Sequence, residues 1–268
     1  MSREKYVSSP ATETVIPHWQ PFGNTEGAIA YFAGKTASPK TEFHSLRIDL
    51  ASPVLRIVVM GGAGGGETLS TRVSSFVREN RLLAGINAVP FNIISAKEGK
   101  PIKNEGIVIS NGVQIAPANP HYDALYWYSD GSVSILSQSQ LQSTANIENA
   151  AGGFHRILEA GKLSGRVINQ EKRHPRTAAG ISNDGKYLYF LVIDGRRMGS
   201  TGSTEAETAV LLRALGAHNG INLDGGGSSS MALRYPDGKV RVVNTPIHSG
   251  IPGRERAVAG CIGIYAID

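Results

Sequence analysis

The chain has 268 residues, 41% apolar and 18% charged, with a formal charge of +5. That length and balance read as an ordinary globular protein and leave ample room for a packed core. No stretch is long and apolar enough to span a membrane. Scattered Lys and Arg without interleaved aromatics argue against a nucleic-acid surface, and Cys261, the single cysteine, excludes an internal disulfide.

Residues 1–26, rich in Ser, Thr and Pro, read as an irregular lead-in. No apolar run follows Met1-Ser2-Arg3-Glu4-Lys5 to mark a signal peptide. Segments 27–32 and 43–50 read as strands, and 54–60 is a β-branched run suited to a buried strand. It leads into Gly61-Gly62-Ala63-Gly64-Gly65-Gly66, which offers neither the G-x-G-x-x-G spacing nor a Walker lysine and so reads as a mobile loop. Ser70 is placed to cap a helix over 71–81, with Val73, Phe76 and Val77 on one face. A strand over 82–89 carries Asn87 near its end.

Hairpin signals dominate the rest. Asn111-Gly112 turns 107–115, Asp130-Gly131 turns 125–136, and Asn183-Asp184-Gly185 joins 177–181 to 187–193. Pro236-Asp237-Gly238 turns 233–243, and 257–267 closes the chain as an apolar strand. The pattern predicts an α+β fold: a single domain over 27–268, mostly antiparallel and hairpin-rich, with a few packed helices. The one well-marked helix opens on a Thr204-x-x-Glu207 capping box, carries Ala209, Val210, Leu212 and Leu215, and stops at Gly216. Glu207 is explained equally by capping and by catalysis.

Directly after that helix comes Gly220-Ile221-Asn222-Leu223-Asp224-Gly225-Gly226-Gly227-Ser228-Ser229-Ser230-Met231. Three consecutive glycines cost backbone entropy, which a tight turn presenting N–H groups to a ligand would justify. Asp224 then sits at the mouth of a strand beside the Ser228 and Ser229 hydroxyls. The alternative is a flexible surface turn. Upstream, Arg176 precedes one strand and Asp194-Gly195-Arg196 ends its hairpin partner, so Arg176, Asp194 and Arg196 are expected to meet at one sheet edge, as a site or as a surface salt bridge.

Taken together, Arg176-Thr177-Ala178, Asp194-Gly195-Arg196, the Glu207 helix and the Asn222–Ser229 block resemble the phosphodiester glycosidase family, over roughly residues 80–268. The Asn87 strand, Asn244-x-Pro246 and Glu255-Arg256 also fit. Two places depart: Gly152-Gly153-Phe154-His155-Arg156 lacks an expected Gly-Pro, and Pro90-Phe91 stands where Gly plus an aromatic is usual. The resemblance implies hydrolysis between a sugar's anomeric carbon and a phosphodiester, releasing free sugar of the N-acetylglucosamine kind and a phosphomonoester. It implies Asp224 as the leading carboxylate, Glu207 or Asp194 as its partner, and Arg176 with the Gly225, Gly226 and Gly227 backbone on the phosphate. Arg196 and Asn87 would orient sugar or phosphate oxygens, with Thr177, Ser228, Ser229 and Arg256 lining the site. The expected partner is a small-molecule or glycan phosphodiester, with no cofactor required; a divalent cation shared by Asp194 and Asp224 stays open. A glycosidase acting on phosphate-free glycans and a non-catalytic phosphosugar-binding module are the competing readings. Export, with the signal absent from this chain, is the expected location, and the cytoplasm is the alternative.

Overall fold

A computed structural model of the chain describes residues 15–62, 65–94, 97–167 and 172–267. Its strands begin with β1 (Gln20–Pro21), β2 (Ile29–Ala37), β3 (Lys40–Asp49), β4 (Leu55–Val59), β5 (Glu67–Leu69), β6 (Ala84–Asn87) and β7 (Pro101–Lys103). Next come β8 (Val108–Ser110), β9 (Val113–Ala116), β10 (Asp123–Tyr128), β11 (Val133–Ser137), β12 (Ile147–Gly152), β13 (His155–Glu159) and β14 (Lys162–Leu163). The last are β15 (Arg176–Ile181), β16 (Tyr187–Ile193), β17 (Asn219–Asn222), β18 (Met231–Arg234), β19 (Val240–Val242) and β20 (Cys261–Ala266). Two α-helices pack on them, α1 (Val73–Glu79) and α2 (Glu205–Leu215).

An eight-stranded sheet runs β1-β2-β3-β16-β15-β17-β13-β14, and two five-stranded sheets run β11-β10-β12-β8-β9 and β19-β18-β6-β20-β4. All ladders between these strands are antiparallel. The inner faces of the three large sheets share one apolar core, including Leu46, Phe190 and Ile221 from the first, Leu125 from the second and Ile86 and Ile262 from the third. Helix α2 covers the outer face of the eight-stranded sheet, where Leu211, Leu212 and Leu215 meet Ala178, Leu191 and Ile193. Helix α1 covers the β6–β20 sheet through Val73, Phe76 and Val77.

Side chains alternate across a strand, and that rule organises the site. Within β16, Phe190 and Val192 enter the shared core while Leu191 and Ile193 face α2. Arg176 pairs with Ile193, and Ala178 with both Leu191 and Asn222, so Arg176 and Asn222 lie on the α2 face; Thr177, opposite Val192, lies on the inner face.

The predicted hairpins form at Asn111-Gly112, Asp130-Gly131 and Asp184-Gly185, and β18 turns into β19 at Asp237-Gly238. The first helix is shorter than the expected 71–81, and Ser70 does not cap it. Its hydroxyl instead joins the Lys97 carbonyl and Lys100 N–H, while the orphan N–H of Ser74 donates to Glu255 Oε1 at 3.2 Å. A remote acid thus does what the local sequence offered Ser70 for. Within the predicted irregular lead-in, Gln20–Pro21 pairs with β2; residues 1–14 and Ala63-Gly64 of the second glycine run lie outside the described residues.

Candidate active site

The glycine turn is braced from below by Asn87 and Thr177. Asn87 Nδ2 donates to the Asp224 carbonyl at 2.6 Å, and its Oδ1 accepts from Thr177 Oγ1 at 2.7 Å and from the Ser230 N–H at 3.1 Å. Both residues are fully buried. The expected direct role for them on sugar or phosphate oxygens is corrected: their polar atoms hold the two ends of the turn, as buried amides and hydroxyls usually serve backbone groups.

The turn itself is a single 3-10 turn over Gly226–Ser228. The Gly226 N–H donates to the Pro175 carbonyl at 2.8 Å, and those of Ser228 and Ser229 donate back to Gly225 and Gly226 at 3.2 and 3.3 Å. The expected cradle of amides around an anion is therefore corrected for two of its three members, because Gly226's amide is consumed by Pro175 and Gly225's serves the Asp224 carboxylate. What the glycines supply is clearance. A Cβ on Gly227 would overlap the Arg256 guanidinium, and one on Gly226, whose φ is 63°, would lie 3.2 Å from Arg196 Nη2. Two guanidinium groups close on the turn because no side chain is there.

Asp224 follows β17. Its Oδ2 is sealed from solvent with no hydrogen-bond partner among the described residues. Burial pushes its carboxyl up to about 6, against the opposing pull of the Ser228 hydroxyl, Arg256 and the Gly225 N–H. Arg256 donates from Nη1 to Ser228 Oγ at 3.1 Å and from Nε to His248 Nδ1 at 3.2 Å. Arg196, left-handed at φ 59°, sets Nη2 3.1 Å from His174 Nδ1. Arg176 is buried, donates from Nε to the Ser203 carbonyl at 3.2 Å, and has Nη1 3.6 Å from Glu205 Oε1. Burial lowers the pKa of Arg176 and of Arg256, and Arg196 adds like-charge repulsion to both. Burial and these same arginines also lower His174 and His248, so both imidazoles favour the neutral form.

The structure brings Glu205, not Glu207, to this cluster. Glu205 Oε2 is 2.9 Å from His155 Nε2, and Oε1 accepts from Asn222 Nδ2 at 3.5 Å. Glu207 closes the capping box, accepting from the Thr204 N–H at 3.0 Å, and pairs through Oε1 with Arg173. Asp194 lies beside the meeting strand ends as expected, yet alternation turns it to the inner face. There it accepts from Asn244 Nδ2 at 3.0 Å and the Thr245 N–H at 2.9 Å, and pairs with Arg197 at 2.8 Å. Oxygens facing three N–H donors suit a brace and not a shared cation, so the Asp194/Asp224 cation expectation is not carried forward. Glu205 was legible only indirectly, as the residue next to a cap; no local signal couples it to His155.

Buried polar atoms are rarely left without partners. Four that lack one among the described residues belong to the strand ends and glycine turn that carry this cluster: Arg176 Nη2, Asn222 Oδ1, Asp224 Oδ2 and Ser229 Oγ. Cavities of about 400 Å³ beside Trp127, 390 Å³ beside Phe76 and 480 Å³ beside Arg234 lie elsewhere.

The sequence profile described as phosphodiester glycosidase matches residues 80–265. An uncharacterized SPbeta prophage-derived protein of Bacillus subtilis, YomE, is 26% identical over 207 residues, which cover 74% of this chain and 30% of that protein, so the chain spans under a third of its relative's length. Among solved structures, the catalytic domain of zebrafish N-acetylglucosamine-1-phosphodiester α-N-acetylglucosaminidase, auto-inhibited by its pro-peptide, aligns with a TM-score of 0.68 at 18% identity, covering 94% of this chain and 88% of that one. A hypothetical protein from Synechocystis gives 0.68 at 15% identity, covering 94% and 64%, and a putative exported protein from Burkholderia pseudomallei gives 0.59 at 15%, covering 84% and 74%. At these identities the structural likenesses establish the fold.

Proposed function

The chain belongs to the phosphodiester glycosidase family, and from that premise we propose that it hydrolyses the bond between a sugar's anomeric carbon and a phosphodiester, releasing free sugar and a phosphomonoester. The observation that carries this reading is the cluster of unpartnered buried polar atoms around Asp224, bordered by Arg176, Arg196 and Arg256. Three guanidinium groups stand against the two carboxyl groups of Asp224 and Glu205, so cationic side chains outnumber acidic ones in the cluster. A phosphodiester carries one negative charge.

The reaction asks for two things at once. The anomeric carbon passes through an oxocarbenium-like state that a close carboxylate stabilises or attacks. The departing phosphate develops charge that fixed donors take up, with little need of a proton. Asp224 suits the first role: its Oδ2 is sealed from solvent, and with its pKa near 6 it is largely ionised at neutral pH. Arg176 and Arg196 suit the second, Arg176 through an Nη2 that has no partner among the described residues. Arg256 acts through Ser228, whose hydroxyl it fixes against the Asp224 carboxylate. An N-acetylglucosamine-like sugar and an exported location complete the proposal, the first following the zebrafish enzyme and the second the putative exported protein of Burkholderia.

The test is incubation with sugar-1-phosphodiesters, sugar nucleotides included, assaying free sugar and phosphomonoester separately. Both products should form with wild type and fall by about two orders of magnitude or more with Asp224→Asn, the scale of a positioned acid or base. Arg176→Lys keeps the charge but loses the planar fork, and should depress phosphodiester turnover more than any turnover of plain glycosides. Binding without products would leave a phosphosugar-binding module.

A further inference from the structure

The reading above uses Glu205 only as a charge and His155 not at all. Yet the fold goes to some length to bring them together. Just ahead of His155 the chain is drawn tight against β17: a Cβ on Gly153 would lie 2.9 Å from the Asn222 carbonyl, and the Phe154 N–H donates to that carbonyl at 2.9 Å. This locks the register in which His155 sits directly opposite Asn222. Both then face α2, whose first residue is Glu205. The His155 and Glu205 side chains are only 12% and 5% exposed at their 2.9 Å contact. Glu205 Oε1 stands within 3.6 Å of Arg176 Nη1 and 3.5 Å of Asn222 Nδ2, the two groups whose second polar atoms, Nη2 and Oδ1, are buried without partners among the described residues.

We propose that Glu205, steadied by His155, is the general base that activates the water completing the reaction, on the side of the sugar from which the phosphate departs. The proposal rests on the reading that Asp224 bonds to the anomeric carbon as the phosphomonoester leaves. The small group that would satisfy both an orphan donor and an orphan acceptor beside a carboxylate is a water molecule. Arg176 Nη2 donates to a water lone pair, Asn222 Oδ1 accepts a hydrogen bond from the O–H that stays with the sugar, and Glu205 Oε1 takes the other proton as the oxygen attacks the anomeric carbon. The bond from that carbon to Asp224 breaks, its electron pair returns to the carboxylate, and free sugar leaves. Glu205 gives up the proton it has gained to solvent before the next turnover, while the His155 Nε2 contact keeps its carboxylate in place. Asp224 and Glu205 thus divide the two halves of the reaction, with Arg176 common to both.

A quenched-flow measurement on a sugar-1-phosphodiester, following phosphomonoester and free sugar separately, tests this. Glu205→Gln should release about one phosphomonoester per protein at nearly the wild-type rate and then stall, with steady turnover down ~100-fold or more. Sodium azide, a nucleophile needing no base, should restore turnover and yield the glycosyl azide. His155 is a positioning residue in this scheme: His155→Asn should lower kcat about tenfold with KM unchanged, again with partial azide rescue. It carries the test alone should Glu205→Gln melt well below wild type. The proposal is overturned if Glu205→Gln turns over within about threefold of wild type, or if it slows the first release as much as the steady state and azide does not help. In that event Glu205 merely holds Arg176. Absence of wild-type turnover, or a persistent burst in Asp224→Asn, would instead remove the parent reading and this proposal with it.

Discussion

Asp224 shows how one residue couples burial to both stability and reactivity. Its folded pKa of about 6 stands above the ordinary 3.8. Between those values the folded chain keeps a proton that the unfolded chain has lost, so stability is greatest below about pH 4 as far as this group is concerned and declines as pH rises through 6. The difference is on the order of 2–3 kcal/mol. Thermal melts of wild type and Asp224→Asn across pH 4–7 should therefore diverge, with wild type losing ground to the variant as pH increases. Activity should run the other way, kcat/KM climbing as the carboxylate ionises around pH 6. A melting difference that does not change with pH would contradict the buried, charge-penalised carboxyl. Gly227 offers a second test at this scale. A methyl group there has to push the Arg256 guanidinium off Ser228 and so loosen Asp224's partner. Gly227→Ala should lower turnover by tenfold or more with a melting shift of a few degrees, because the guanidinium is the far end of a flexible chain and can yield.

Between residues and the whole lie the elements that decide where acids point. Helix α2 opens with Glu205 and Glu207 two positions apart, roughly 200° around the helix, so one turns to the sheet's outer face and the other to the cap. Glu207→Gln retains a capping box, and should change stability by less than about 1 kcal/mol and leave turnover within twofold. Asp194 is the opposite case. It follows β16 directly, on the inner face, where Asn244, Thr245 and Arg197 converge on it. Asp194→Asn leaves Arg197 short of an anion and sets an amide N–H against a backbone N–H. A cost of about 3–5 kcal/mol is expected for breaking a buried pair, read by urea unfolding, while turnover per folded molecule should largely persist. Equal stability of Asp194→Asn and wild type would return Asp194 to the catalytic candidates. The element scale also explains α1, whose first turn borrows Glu255 from the chain's far end; Ser230 donates to the same carboxylate at 2.9 Å. Glu255 therefore joins α1 to the serine end of the glycine turn.

Seen whole, the molecule sets its open arginine cluster against the background of a +5 chain. The potential around such a surface raises the encounter rate of anions and is screened by salt. Raising sodium chloride from 50 to 200 mM should lower kcat/KM for a phosphodiester by a few-fold, while leaving any action on neutral glycosides unchanged. Equal salt effects on both would mean that Arg196 and its neighbours do not attract the phosphate. The three sheets also have to stay packed for the site to exist, since Asn87 reaches from the β6–β20 sheet to hold Asp224 at the end of the eight-stranded one. The site is an inter-sheet seam, and its geometry depends on the shared core beneath it.

By itself the sequence determined the hairpins, the capped helix α2 and the family, because turns, caps and short motifs act between residues a few positions apart. It also singled out Asp224, Arg176, Arg196 and Arg256, all of which the fold gathers around one glycine turn. What only the tertiary structure decided is which polar atoms are spent on the protein and which are left over. Asn87, Thr177 and Asp194 look like ligands when read along the chain, but strand alternation turns Thr177 and Asp194 to the inner face, and all three meet protein partners from distant segments. Glu205 and His155 look unremarkable, yet a strand register fixed by Gly153 and Phe154 sets them against each other 50 residues apart. Facing direction changes with every residue of a strand, and partners are chosen by register across sheets, so neither can be counted from spacing alone.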